Sequence, residues 1–153
     1  MLFARALFAF LALPTVVGGI VPWWILRSDQ RRMGGSSVGW IVLIAGAVIV
    51  VWCVRDFYVI GKGTLAPWDP PKRLVVVGLY RYVRNPMYLA VLGFVGGLSL
   101  LEGSLSLGEY CLVLAIGFHL RVLIYEEPKL GSLFGEDWRR YRMKVRRWLP
   151  RLP

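Results

Sequence analysis

The sequence predicts an all-α integral membrane protein, with about four transmembrane helices followed by a C-terminal amphipathic interfacial helix. Three observations predict it. Of 153 residues, 57% are hydrophobic and only 18% charged, whereas a soluble domain carries about a quarter charged residues and less than half apolar. No formal charge lies between Arg5 and Arg27, or from Met33 to Val54, and each stretch matches the roughly 20 residues that a spanning helix needs. The net charge of +10 is gathered into a few segments between and after the apolar runs. The length fits one domain over residues 1–153, divisible into an N-terminal helix pair (1–60) and a remainder (61–153).

The first apolar run exceeds the h-region of a secretory signal and closes on no A-x-A-like site, so it reads as a spanning helix and not as a cleaved leader. Pro14, Gly18-Gly19 and Pro22 predict a kink in it, tolerated where neighbouring helices satisfy the freed backbone groups. The second helix is expected from about Val38 to Ile60, stopping at Gly61-Lys62-Gly63. Prolines 67, 70 and 71 then impose an extended connection, with Trp68 placed to anchor it among headgroups. A third run, from Arg84 to Glu102, and a fourth, from about Leu107 to Tyr125, form a helical hairpin. Cys53 and Cys111 lie inside apolar helices at no metal or redox spacing and read as packing residues. Gly93 and Gly97 form a G-x-x-x-G pair for close helix approach. The nearby Gly93-x-x-Gly96-Gly97 lacks the preceding strand of a dinucleotide fingerprint.

Basic residues between Lys62 and Arg84, and from Lys129 to Arg151, place both segments on the cytoplasmic side, with Glu102 and Glu109 in the outer turn. The loop holding Arg27, Arg31 and Arg32 then lies outside, against the rule, offset only by Asp29. Basic residues held at a membrane face exclude nucleic acid as a partner and favour membrane lipids. After Pro128 the chain turns polar. Gly135-Glu136-Asp137 resembles a helix start, and Trp138, Tyr141, Val145, Trp148 and Leu149 recur at three- and four-residue spacing, the mark of an amphipathic helix.

Three features carry chemistry. Gly78 to Tyr88 puts Arg81, Arg84 and the only asparagine, Asn85, before Pro86, a favourable first helical position with an anion-binding N-terminus. The same cluster is also the ordinary mark of positive-inside topology. His119, the only histidine, lies seven residues before Glu126, so the two share a helix face, beside Arg121 and Glu127. Ionisable groups so near an apolar helix either line a wet cavity or pair with each other; pairing of Arg84 or Arg121 with Glu126 or Glu127 is the structural alternative. Finally, Glu126-Glu127-Pro128 is expected to turn the tail back beneath the hairpin, with Leu130 and Phe134 as anchors.

The order Gly-x-Tyr-Arg-Tyr-Val-Arg-Asn-Pro-Met-Tyr, an apolar hairpin, then Glu-Glu-x-x-Leu-x-x-x-Phe-Gly-x-x-Trp-x-x-Tyr-x-x-x-Val-x-Arg-Trp resembles the isoprenylcysteine carboxyl methyltransferase family across residues 78–150. The resemblance implies S-adenosylmethionine as cofactor, a hydrophobic or lipid-like acceptor drawn from the bilayer, and a site on the cytoplasmic side of a multi-pass protein. Carried over by position, it implies cofactor contacts from Arg84, Asn85, Pro86, Tyr88, His119, Glu127 and Leu130. Arg84 and Glu127 are the expected catalytic pair. Asn85 departs from the family's frequent histidine there. Two rival readings are a nicotinamide-dependent membrane reductase, usually a much longer chain, and a non-enzymatic protein whose basic tail binds anionic lipid.

Overall fold

A computed structural model describes residues 15–56, 59–60 and 73–150. Pro14, the Gly61-Lys62-Gly63 stop and the proline-rich connection with Trp68 lie outside the described residues. Within them the chain is helical, with no strands and only two isolated bridges. Helix α1 covers Val16–Ser28, its first turn Val16–Ile20 being a wide π turn ahead of Pro22. Helix α2 is Val38–Asp56, α3 is Pro86–Glu102 and α4 is Leu105–Arg121. A π turn at Val122–Glu126 leads into α5, Glu127–Lys144.

Two helical stretches, Val38–Asp56 and Leu105–Lys144, are long and apolar enough to cross a membrane; Val16–Ser28 and Pro86–Glu102 are shorter apolar helices. The long stretches are not the core of a soluble protein, because most of their apolar side chains point outward. Ile41 is 71% exposed and Val113 64%. In water such a surface would drive aggregation; in hydrocarbon it faces its natural solvent.

Glycine sets the central helix contact. Helices α2 and α3 run antiparallel, with Gly39 and Gly46 of one against Gly97 and Ala90 of the other. A Cβ on Gly46 would come 2.6 Å from the Phe94 backbone nitrogen, and one on Gly39 2.6 Å from the Gly97 carbonyl oxygen. The expected G-x-x-x-G pair is thus half of the contact, met by a second small-residue face on α2. Cys53 is fully buried and Cys111 partly so, in keeping with packing roles.

At the end of the molecule away from the two main basic segments, the α1–α2 loop is clasped to the α3–α4 turn. Arg31 donates to Glu109 at 2.7 and 3.1 Å, and Arg32 to Glu102 at 3.1 Å. Asp29 accepts from the hydroxyls of Ser104 and Ser106 and from the Arg31 amide. The Ser104 hydrogen bond is the main reason that its carboxyl sits below the usual aspartate range. Two of the three arginines that break the positive-inside pattern, Arg31 and Arg32, are therefore paired with the turn carboxylates, and Asp29 lies beside Arg31.

Two expectations need correction. The chain does not reverse at Glu126-Glu127-Pro128. It stays helical, because the wide turn at Val122–Glu126 makes room for a proline ring that would otherwise clash with the carbonyl four residues back. The break comes at Gly135, where φ is 49° and ψ is −116°, a conformation that glycine alone adopts cheaply. Nor does helix continue to Leu149. It ends at Lys144, Val145 is extended and Leu149 is exposed.

Candidate active site

The first motif begins with a short 3₁₀ turn, Gly78–Arg81, packed on the end of α2. Gly78 has φ +54°, and its missing side chain leaves room for the buried Asp56 carboxylate. Tyr80 is buried beside Cys53 and Val75. Pro86 then opens α3, as expected, since its ring presets the helical φ and the helix start needs no N–H there.

The second motif returns to the first through its last residues. Val83 and Arg146 form a parallel bridge, the Arg84 amide donates to the Arg146 carbonyl at 2.9 Å, and the Asn85 side-chain amide donates to the Arg147 carbonyl at 3.1 Å. The Tyr141 hydroxyl donates to the Tyr80 carbonyl at 2.7 Å. Trp138, Tyr141 and Val145 close a small core against Leu74, Leu130 and Phe134. Segment 145–148 is thus held by backbone bonds that no helical pattern would provide.

Between the two motifs lies an ion cluster. Arg84 Nη1 donates to Glu127 Oε1 at 2.9 Å; Arg147 Nε donates to the same oxygen at 2.7 Å, and its Nη2 to Oε2 at 2.9 Å. Only 9% of the Arg84 side chain and 10% of Glu127 meet solvent, against 26% of Arg147. Burial pulls the Arg84 pKa below the usual arginine value, opposed by the Glu127 charge. The hydrogen bonds to Glu127 push that of Arg147 up. The Arg84 guanidinium also lies 5.5 Å from the Trp138 ring centre. Its Nε is buried without a hydrogen-bond partner, which is costly for a charged group unless something binds there.

A second cluster sits behind the first. Arg121 Nε donates to the Tyr88 hydroxyl at 3.1 Å and to Glu126 Oε1 at 2.9 Å, and that hydroxyl in turn donates to Glu126. The Tyr88 ring stacks on Phe118 with centres 4.4 Å apart. His119 does not share a face with Glu126. The π turn adds a residue to the intervening turn, and His119 Nδ1 accepts instead from Trp148 Nε1 at 3.0 Å.

Of the seven expected cofactor contacts, Arg84, Asn85, Glu127 and Leu130 line one cavity of about 60 Å³, together with Glu126 and Val122. Pro86, Tyr88 and His119 stand outside that lining, Pro86 as the helix start, Tyr88 in the second cluster and His119 under Trp148. Sequence reasoning missed Arg147 and Trp148, which read as tail and amphipathic face. The signal was present, since both fall on the Val-x-Arg-Trp end of the second motif.

The family model described as "Phospholipid methyltransferase" matches residues 36–137. A protein-S-isoprenylcysteine O-methyltransferase of Schizosaccharomyces pombe (strain 972 / ATCC 24843) is 37% identical over 81 residues, covering 52% of this chain and 34% of the relative. A probable protein-S-isoprenylcysteine O-methyltransferase of Oryza sativa subsp. indica is 33% identical over 120 residues, covering 75% of this chain and 61% of the relative. A relative with the same name and the same identity and coverage occurs in Oryza sativa subsp. japonica. The chain therefore spans between a third and about three fifths of the length of these curated relatives. No solved structure matches it.

Proposed function

We propose that this chain, which belongs to the phospholipid methyltransferase family, transfers a methyl group from S-adenosylmethionine to a hydrophobic or lipid-like acceptor that enters from the bilayer. In this reading residues 1–153 form one multi-pass domain of about four spans, with the site on the cytoplasmic side, where both large basic segments lie. The observation that carries it is the buried Arg84–Glu127–Arg147 cluster, which draws one residue of the first motif and one from near each end of the second into a single polar site.

The donor set fits the chemistry of the cofactor. Arg84 and Arg147 are placed to take its α-carboxylate through charge-assisted hydrogen bonds, and the unpartnered Nε of Arg84 is a donor still lacking an acceptor. Glu127 and Asn85 would hold its amino and hydroxyl groups, with Leu130 as an apolar wall. When bound, S-adenosylmethionine supplies an electrophilic methyl group on a positively charged sulfur.

Space is the constraint. A cavity of about 60 Å³ has room for a handful of waters, each needing about 10–15 Å³ of such space, and not for a nucleoside. In this reading segment 145–148 withdraws, taking Arg147 off Glu127 and Trp148 off His119, and then returns to exclude water. That withdrawal frees His119 Nδ1 from its bond with Trp148. Methyl transfer is an in-line displacement, so holding donor and acceptor aligned supplies much of the acceleration. A carboxylate acceptor needs no base, whereas an amine or thiol acceptor gives its proton to Glu126, which Arg121 and Tyr88 hold in place.

Titration of the detergent-purified protein with labelled S-adenosylmethionine and with NADPH tests the reading. Saturable binding of the first alone is expected. Binding of NADPH alone would make the protein a reductase, and binding of neither would remove the enzymatic reading.

A further inference from the structure

Beside the small cavity, and sharing Leu74 and Tyr141 with it, runs an open groove of about 740 Å³. Its rim carries Arg73, Arg81, Arg140 and Lys144 against one acid, Asp137. Its apolar surface comes from Val76, Phe134 and Val145. Among the described residues Arg73, Arg81 and Lys144 have no ion-pair partner, and Arg140 has only a long contact of 3.9 Å to Glu136. The cations of the cofactor cluster, by contrast, are paired.

We infer that this groove seats the headgroup of an anionic phospholipid, a role separate from methyl transfer. Four cations against one acid select an anionic occupant. The apolar floor selects one that also carries hydrocarbon, and a soluble anion would leave that floor in water. The groove is walled on one side by residues 73–81, which precede α3, and on the other by α5 and Val145. Leu133 and Met143 of α5 stand 51% and 74% exposed, as side chains do when a helix rests in the headgroup and acyl boundary. Basic residues at such a boundary attract anionic lipid, each contributing several-fold in affinity.

Binding of short-chain phosphatidylglycerol and phosphatidylcholine to the full chain in neutral detergent, read by native mass spectrometry, tests the inference. Phosphatidylglycerol should bind at least tenfold more tightly than phosphatidylcholine. The double variant Arg140→Glu/Lys144→Glu should weaken it roughly thirty-fold or more. Lys129→Glu/Arg139→Glu, an equal change of charge at side chains that do not line the groove, should weaken it several-fold less, since direct contact adds to the screened field that all nearby cations share. Should the groove variant lose its thermal transition, Arg73→Ala/Arg81→Ala replaces it with the same expectation. Equal binding of the two lipids, equal loss in the two charge-matched variants, or displacement of the lipid by millimolar inorganic phosphate would each overturn the inference.

Discussion

Removing either side of the Arg84–Glu127 ion pair should have unequal consequences for folding and similar ones for binding. In Arg84→Ala, Glu127 keeps both hydrogen bonds from Arg147, at 2.7 and 2.9 Å, so no buried carboxylate is stranded. The substitution also removes the unpartnered Nε and gives up one contact with the Trp138 ring. The net cost to stability should be small, about 1 kcal/mol, the usual worth of one such contact. In Glu127→Ala, two guanidinium groups lose their only carboxylate among the described residues, and Arg84 is 9% exposed. Breaking a buried pair in that way costs about 3–5 kcal/mol, and access of water to Arg147 favours the lower figure. For S-adenosylmethionine each variant loses a charge-assisted contact of about 1.5–3 kcal/mol, or roughly ten- to 150-fold in Kd. Thermal unfolding in detergent beside a labelled-cofactor titration reads both quantities. Equal destabilisation by the two substitutions would refute the role assigned to Arg147, and an unchanged Kd in Arg84→Ala would make that arginine structural.

Truncation after Lys129 should abolish S-adenosylmethionine binding while the preceding helices still insert, because it removes Arg147, Trp148 and the bridge to Val83; retained binding in a direct titration would reduce the tail to an anchor. Both termini should be cytoplasmic, so a cysteine placed at Ser132 should react with an impermeant thiol reagent only from the inside. Gly46→Val should lower the unfolding temperature sharply, since the added atoms meet the Phe94 and Ala90 backbone, and overpacking costs about 1–3 kcal/mol or more where backbone must move. An unchanged melting profile would mean that α2 and α3 do not pack through that face.

Much of the helical frame was legible because it depends on local pattern. A charge-free run located α2 and two apolar runs the α3–α4 hairpin, and Pro86 marked the start of α3 to the residue. The motif pair also led to Arg84 and Glu127, whose contact spans 43 positions in sequence. What escaped was set by distant partners. Periodicity of three and four carried the last helix to Leu149, yet backbone bonds to Val83 and Arg84 pull the chain extended from Val145. The turn residues Glu126-Glu127-Pro128 promised a reversal that a wide turn absorbs, and the helix breaks instead at Gly135. Arg31 and Arg32 looked like violations of a topological rule because their acidic partners lie 78 and 70 positions away.

The bridge between Val83 and Arg146 also bears on biogenesis. Residues 145–148 are synthesised after every helix described above, and they supply Arg147 and the backbone carbonyls that fix Arg84 and Asn85. A ribosome that has released α4 into the membrane has therefore made a scaffold without a finished pocket. On the proposed function, cofactor capture then has to wait until the helices have been threaded, and an incompletely inserted chain would neither sequester a methyl donor nor spend it on a misplaced acceptor.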